Sequence, residues 1–224
     1  MQKLKRYALV VAGGLGTRVG GSVPKQFAEV HGMPVLFHTL SKFNGIADDI
    51  IVVLPPSHII LWENTCKSHN IGIAHRITAG GDTRSASVKT GLALIHEDCV
   101  VAIHDAVRPF VSAALINNAF AEAEKMGCAI PALHVTDSLR KKQGDSSIRV
   151  NRDDYCIVQT PQCFRFSEIR DAYETAGSSD FTDDAGVFEH AGYKVHLIEG
   201  EYFNRKITYP DDLRIAELLL QSQA

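Results

Sequence analysis

The stretch Asp49–Leu54 reads DIIVVL, five consecutive apolar residues closed off by Pro55-Pro56. A strand with one wet face alternates polar and apolar residues. An unbroken apolar run of this length fits a strand covered on both faces. The runs at 7–12 (YALVVA) and 99–104 (CVVAIH) have the same character. Between such runs lie segments of helical period. Residues 34–43 begin on a proline and are followed by Gly45, which suits the start and end of a helix. In 83–96, Val88, Leu92 and Ile95 share one face. Residues 57–67, 167–177 and 182–191 also read as helices. So does 112–125, capped by Ser112 and closed by Gly127, and a last helix begins near Pro210 and runs to Leu220. Further strands are expected at 71–78, 128–135 and 194–199. Strands alternating with helices define an α/β protein with a mostly parallel sheet and helices on both faces.

With 224 residues, 45% of them hydrophobic, the chain can bury one sizeable core. The formal net charge of -3 excludes a whole-protein basic field for nucleic acid, so any anion must be met by local clusters. The five cysteines form no C-x-x-C pair, and the ten histidines show no H-x-x-x-H spacing. A reduced cytoplasmic setting fits, and a zinc site does not. Lys3, Lys5 and Arg6 ahead of 7–12 faintly mimic a signal peptide, but the apolar run is too short and leads straight into Gly13-Gly14. No stretch approaches the roughly 18 apolar residues of a membrane span.

In parallel α/β sheets, ligands bind beyond the carboxyl ends of the strands. Three segments meet that condition. Residues 12–18 (AGGLGTR), followed by Pro24-Lys25-Gln26, follow the first strand. Glycines there let backbone N–H groups approach a phosphate or base, with Arg18 and Lys25 adding positive charge. The dinucleotide fingerprint would need a third glycine at Val19 and an acidic residue after the second strand. The Walker A loop would need a Gly-Lys pair, and neither pattern is met. Gly80-Gly81-Asp82-Thr83-Arg84-Ser85-Ala86-Ser87 precedes a helix. It serves either as a turn and N-cap or as an anion or base-edge site. His104-Asp105-Ala106-Val107-Arg108-Pro109 sets a carboxylate at a strand end, where it can meet Mg²⁺ or a ribose hydroxyl, or simply pair with Arg108. His104 itself reads as a packed, hydrogen-bonded histidine.

Other segments are less specific. Polar residues 136–158 carry Gln143-Gly144-Asp145 as a turn between two β-capable stretches, either a projecting hairpin or a surface loop. Gln159-Thr160-Pro161-Gln162 and Asn204-Arg205-Lys206 have no chemical meaning from spacing alone. Residues 160–177 offer only a surface helix, and Trp62 packs.

Taken together and in this order, AGGLGTR, PKQF, GGDTRSASV, HDAVRP, QTPQ, TDDA (182–185) and NRKIT resemble the 2-C-methyl-D-erythritol 4-phosphate cytidylyltransferase family over nearly the whole chain. The resemblance implies a single Rossmann-like domain over 1–224, with 136–158 as a β-arm that builds a homodimer. It implies CTP, Mg²⁺ and a small polyol phosphate. Arg18, Lys25 and Lys206 would surround the triphosphate as catalytic groups. Ala12, Gly13, Gly14, Gly16, Gly81, Asp82 and Ser87 would bind the nucleotide, with Asp105 near the ribose and metal. Arg108, Asp137, Ser138, Arg152 and Thr182 would hold the acceptor, Arg152 reaching across to the partner subunit. The chain departs from the family in reading Val11-Ala12-Gly13-Gly14 where many members have Pro-Ala-Ala-Gly, and Ser138 where threonine is common. The Ala-Gly-Gly form is also similar to D-ribitol-5-phosphate cytidylyltransferases, which leaves ribitol phosphate as the alternative acceptor.

Overall fold

The computed structural model describes residues 3–13, 24–177 and 181–221. The expectations for Gly14, Gly16 and Arg18 fall outside them. The first strand, β1 (Lys5–Val11), pairs in parallel with β4 (Asp49–Leu54) on one side and β6 (Cys99–Asp105) on the other. β5 (Arg76–Ala79) extends the sheet beyond β4, also in parallel. Short β2 (Glu29–Val30) and β3 (Met33–Pro34) pair with each other.

Period-2 packing on both faces accounts for the apolar runs. Leu9, Val11, Ile51, Val53, Val101 and Ile103 face one layer, made with α3 (Arg84–Leu92), α5 (Phe166–Thr175) and α6 (Asp184–His190). Ala8, Val10, Ile50, Val52, Val100 and Ala102 face the other, made with α1 (Val35–Phe43), α2 (Ile59–Ser68) and α4 (Ala113–Met126). Every residue of β6 is buried. α4 is capped as expected: the Ser112 hydroxyl accepts from Leu115 N at 3.0 Å, and Gly127 closes the helix with φ 90°. Trp62 packs, fully buried, and donates to His75 Nε2 at 2.9 Å.

Several expectations are corrected. The expected strand at 71–78 forms only over Arg76–Ala79, and the helix expected to reach 96 stops at Leu92. The stretch 160–177 holds more than a helix. β11 (Gln162–Arg165) inserts antiparallel between β6 and β7 (Cys128–His134), burying Cys163 and Phe164 completely. Within 136–158, β8 (Arg140–Gln143) and β9 (Ser146–Arg149) form the hairpin, turned by Gly144 at φ 57°. The end of that segment, β10 (Cys156–Val158), pairs antiparallel with the outer end of β7 of the same chain. β12 (Leu197–Glu199) pairs with β7 in parallel, and α7 (Pro210–Gln221) covers a small cluster around Val30, Val107 and Ile207. No helix among the described residues is long and apolar enough to cross a membrane.

Candidate active site at the switch point of the sheet

From β1 the chain steps outward to β4 and β5, then returns to the opposite side of β1 as β6. The crevice beyond the carboxyl ends of β1 and β6 is the switch point, where open α/β sheets leave room for ligands. Val11 and Asp105 are paired across these ends, and the next residue, Ala12, donates its N–H to Val53 O at 2.9 Å.

Three loops close on this crevice. Ser87, only 1% exposed, packs between the loops after β1 and β5. A Cβ on Gly13 would stand 3.3 Å from its Oγ, and one on Gly80 only 2.6 Å away, so a side chain at position 80 would force the loops apart. The same hydroxyl donates to Gly81 O at 3.2 Å. Thr83 caps α3 by accepting from Ala86 N at 3.0 Å, leaving Asp82 exposed at the mouth. A single 3-10 turn, Lys25–Phe27, closes another wall. Buried Gln26 donates to Ala12 O at 3.1 Å, and Phe27 stacks on Trp62.

The segment carrying Lys206 is docked by a buried amide pair. Gln159 Nε2 donates to Glu201 O at 2.8 Å, and Asn204 Nδ2 donates to Thr160 O at 2.8 Å. Arg108 Nη1 donates to Asn204 O at 2.8 Å, and Ile207 N to Val107 O at 2.9 Å. Lys25 Nζ donates to Ile207 O at 3.2 Å, which links the two lysine-bearing segments. Lys206 Nζ then lies 2.9 Å from Asp105 Oδ2.

Asp105 is the electrostatic centre. Arg84 Nε stands 3.6 Å from its Oδ1 and Arg108 Nε 3.6 Å from its Oδ2. Burial works against the charged carboxylate, but Lys206, Arg84 and Arg108 together outweigh it and hold Asp105 well below the usual carboxylate range. Arg84 is gripped in turn by Asp184, through Nη1–Oδ1 at 2.9 Å and Nη2–Oδ2 at 2.6 Å. With Asp184 balancing Arg84, Arg108 and Lys206 share the single carboxylate of Asp105, and either can turn from it toward an anion. His104 behind it is fully buried. Nε2 donates to Arg108 O at 3.1 Å, and Nδ1 accepts from the Thr160 hydroxyl at 3.1 Å, so the ring is satisfied as the neutral tautomer. Burial pushes its pKa down to about 4, and it is the packed histidine expected rather than a base.

Two clefts adjoin here. The first is lined by Ala12, Gly13, Lys25 and Asp82, the second by Arg108, Thr160 and Thr182, and both share Arg84, Asp105 and Lys206. Most of the expected residues are thus brought together, with Gly81 and Ser87 bracing the wall. Asp137, Ser138 and Arg152 are exposed on the arm. Arg152 donates to Thr136 O, and only Val158 at the arm's end lines the second cleft. Sequence reasoning passed over Arg84, Asp184, Gln26 and the Gln159–Asn204 pair. All lie inside motifs singled out above, but their partners are distant in the chain, and no spacing signals such pairs.

The fold and the cationic switch-point crevice define a Rossmann-like α/β protein built to receive anionic ligands, the class to which nucleotidyltransferases belong. The family model described as "IspD: 2-C-methyl-D-erythritol 4-phosphate cytidylyltransferase" matches residues 7–222. A relative of that name from Porphyromonas gingivalis is 46% identical over 221 residues, covering 98% of this chain and 100% of the relative. Another, from Bacteroides fragilis, is 45% identical, covering 96% and 99%. A crystal structure of the Thermus thermophilus protein of the same name superposes with a TM-score of 0.82 at 33% identity, covering 98% of this chain and 100% of that one. The chain belongs to the 2-C-methyl-D-erythritol 4-phosphate cytidylyltransferase family.

Proposed function

We infer that this enzyme transfers the cytidylyl group of CTP to 2-C-methyl-D-erythritol 4-phosphate. The products are 4-diphosphocytidyl-2-C-methyl-D-erythritol, a step of isoprenoid biosynthesis, and pyrophosphate. The observation that carries this reading is the pair of adjoining clefts sharing Arg84, Asp105 and Lys206, which suits two anionic substrates meeting at one phosphorus. The names of the relatives favour this acceptor and give no support to D-ribitol 5-phosphate.

The acceptor phosphate oxygen attacks the α-phosphorus in line. A new P–O bond forms as the α–β bridging bond breaks and pyrophosphate leaves. The nucleophile is already anionic, so no base is required. The barrier lies in bringing two anions together, and positioning with charge stabilisation lowers it. Lys25 and Lys206 stabilise the charge on the phosphorus, with Arg18 as their expected partner. Gly14, Gly81, Asp82 and Ser87 are assigned to cytosine, and Ala12, Gly13 and Gly16 to the rest of the nucleotide. Arg108 and Thr182 lie on the acceptor side. Mg²⁺ suits the site. A hard cation bound mainly by substrate phosphates needs only one or two carboxylates, and Asp105 would be that ligand, with Lys206 moving from its Oδ2 to the phosphates. When bound, the ion would neutralise triphosphate charge.

Asp137, Ser138 and Arg152 hold the acceptor from the arm of a homodimer, with Arg152 reaching across to the partner subunit. Support comes from the apolar surface of the arm itself, where Tyr155 and Ile157 are 48% and 55% exposed. The five free cysteines suit a reduced cytoplasmic setting. Pyrophosphate release with CTP and each acceptor in turn tests the reading. Release with methylerythritol phosphate is expected. Release with ribitol phosphate alone would overturn it.

A further inference from the structure

Behind the two clefts lies a buried polar chain that the mechanism above does not use. Asp184 is completely buried, and the cost of its charge is met by two groups, while its backbone is tied by a third. Arg84 binds it through both terminal nitrogens, the Tyr173 hydroxyl donates to its Oδ1 at 2.6 Å, and its N–H donates to Gln162 Oε1 at 3.0 Å. Gln162 also accepts from Ala185 N at 2.9 Å and donates to Asp183 Oδ2 at 2.9 Å, which pins the start of α6 to β11. Burial opposes the Arg84 charge, but Asp184 and then Asp105 hold it above its ordinary range. Burial and then Asp184 keep the Tyr173 phenol protonated.

A fork–fork pair fixes the plane of a guanidinium as well as its position. With Nη1 and Nη2 committed to Asp184, the remaining Nε edge of Arg84 faces Asp105 Oδ1 at 3.6 Å. The two oxygens of Asp105 are therefore divided, Oδ1 toward Arg84 and Oδ2 toward Lys206 and Arg108. We propose that Arg84, braced by Asp184 and Tyr173, is a positioning residue that orients Asp105 and through it sets where the Lys206 ammonium stands between the two clefts. This rests on the cytidylyltransferase reading. Without the Arg84 edge, Asp105 can turn and take Lys206 with both oxygens, which draws the ammonium away from the reacting phosphate. A purely structural ion pair has no reason to line both clefts, and Arg84 does.

A double-mutant cycle on the full chain tests this, read by pyrophosphate release and by thermal melting. Arg84→Lys keeps the charge but loses the fork. It should lower kcat about 10- to 100-fold, the range for misplacing a catalytic group by about 1 Å, with KM for CTP changed less than about threefold. In a Lys206→Gln background the same substitution should cost less than about threefold, because the group it acts through is gone. A loss that multiplies in full in both backgrounds overturns the proposal. If Arg84→Lys melts below assay temperature, Tyr173→Phe goes through the same cycle, since it removes only one hydroxyl from Asp184. The same non-additivity is expected there, and an unchanged kcat or an additive loss overturns the proposal. A wild-type chain that releases no pyrophosphate from CTP with either acceptor fails earlier, and sinks the enzymatic reading along with this one.

Discussion

Lowering the pH should destabilise this protein through one buried imidazole. His104 is fully buried, with both ring nitrogens satisfied in the neutral form, and burial carries it from an ordinary 6.5 down to about 4. Between these two values the unfolded chain binds a proton that the folded chain refuses, so stability falls as pH falls. The contribution is intact above about 6.5, declines through the window, and is fully lost below about 4. The full span is worth about 3 kcal/mol. Carboxylates also titrate in this range, so the quantity to measure is a difference. Urea unfolding at steps from pH 7.5 to 4 on the wild type and on His104→Gln isolates it, because glutamine can still donate to Arg108 O but does not titrate. The wild type should lose about 3 kcal/mol more than the variant across the window. A difference that stays flat to within about 0.5 kcal/mol would refute the neutral, buried imidazole, allowing for denatured-state effects of that size.

Lys25→Ala should lower kcat by about 10²–10³, the scale for removing one preorganised charge-stabilising group. A variant within threefold of wild type in pyrophosphate release would remove Lys25 from the chemistry. Arg152→Lys should chiefly raise KM for the acceptor and spare CTP, because a lysine cannot reproduce bidentate contact with a phosphate. A rise in the KM for CTP instead would refute the arm assignment. Gly91→Ala should destabilise the fold by about 1–3 kcal/mol despite alanine's better helix propensity. Its Cβ would stand 2.2 Å from Leu9 Cδ1 and 2.9 Å from Val53 Cγ2 in the closed core, and a higher melting temperature would contradict that packing.

Elements whose formation depends on local pattern were legible without the structure. Asp49–Leu54 forms a strand over its whole apolar run, because five consecutive apolar residues need cover on both faces. The α4 helix starts and ends at Ser112 and Gly127, whose cap chemistry is local. The hairpin turns at Gly144 for the same reason. Lys25, Asp105 and Arg108 were legible as candidates because each follows or closes a motif at a strand end.

The rest depended on partners far away in the chain. Residues 162–165 become a strand only because the edges of β6 and β7 stand open on either side of them, and nothing local in Gln-Cys-Phe-Arg signals that. Lys206 on its own reads as a surface lysine. It becomes part of the site because Gln159 and Asn204, 45 residues apart, dock its segment beside Asp105. Arg84 and Asp184 are 100 residues apart, and their fork exists only once α3 and α6 share one face of the sheet. The sequence by itself determined the layered α/β plan, since burial periodicity and caps act within a few residues. Tertiary structure alone decided which charges converge, because a carboxylate and three cations from three separate segments can share one crevice only after the sheet has brought its strand ends together.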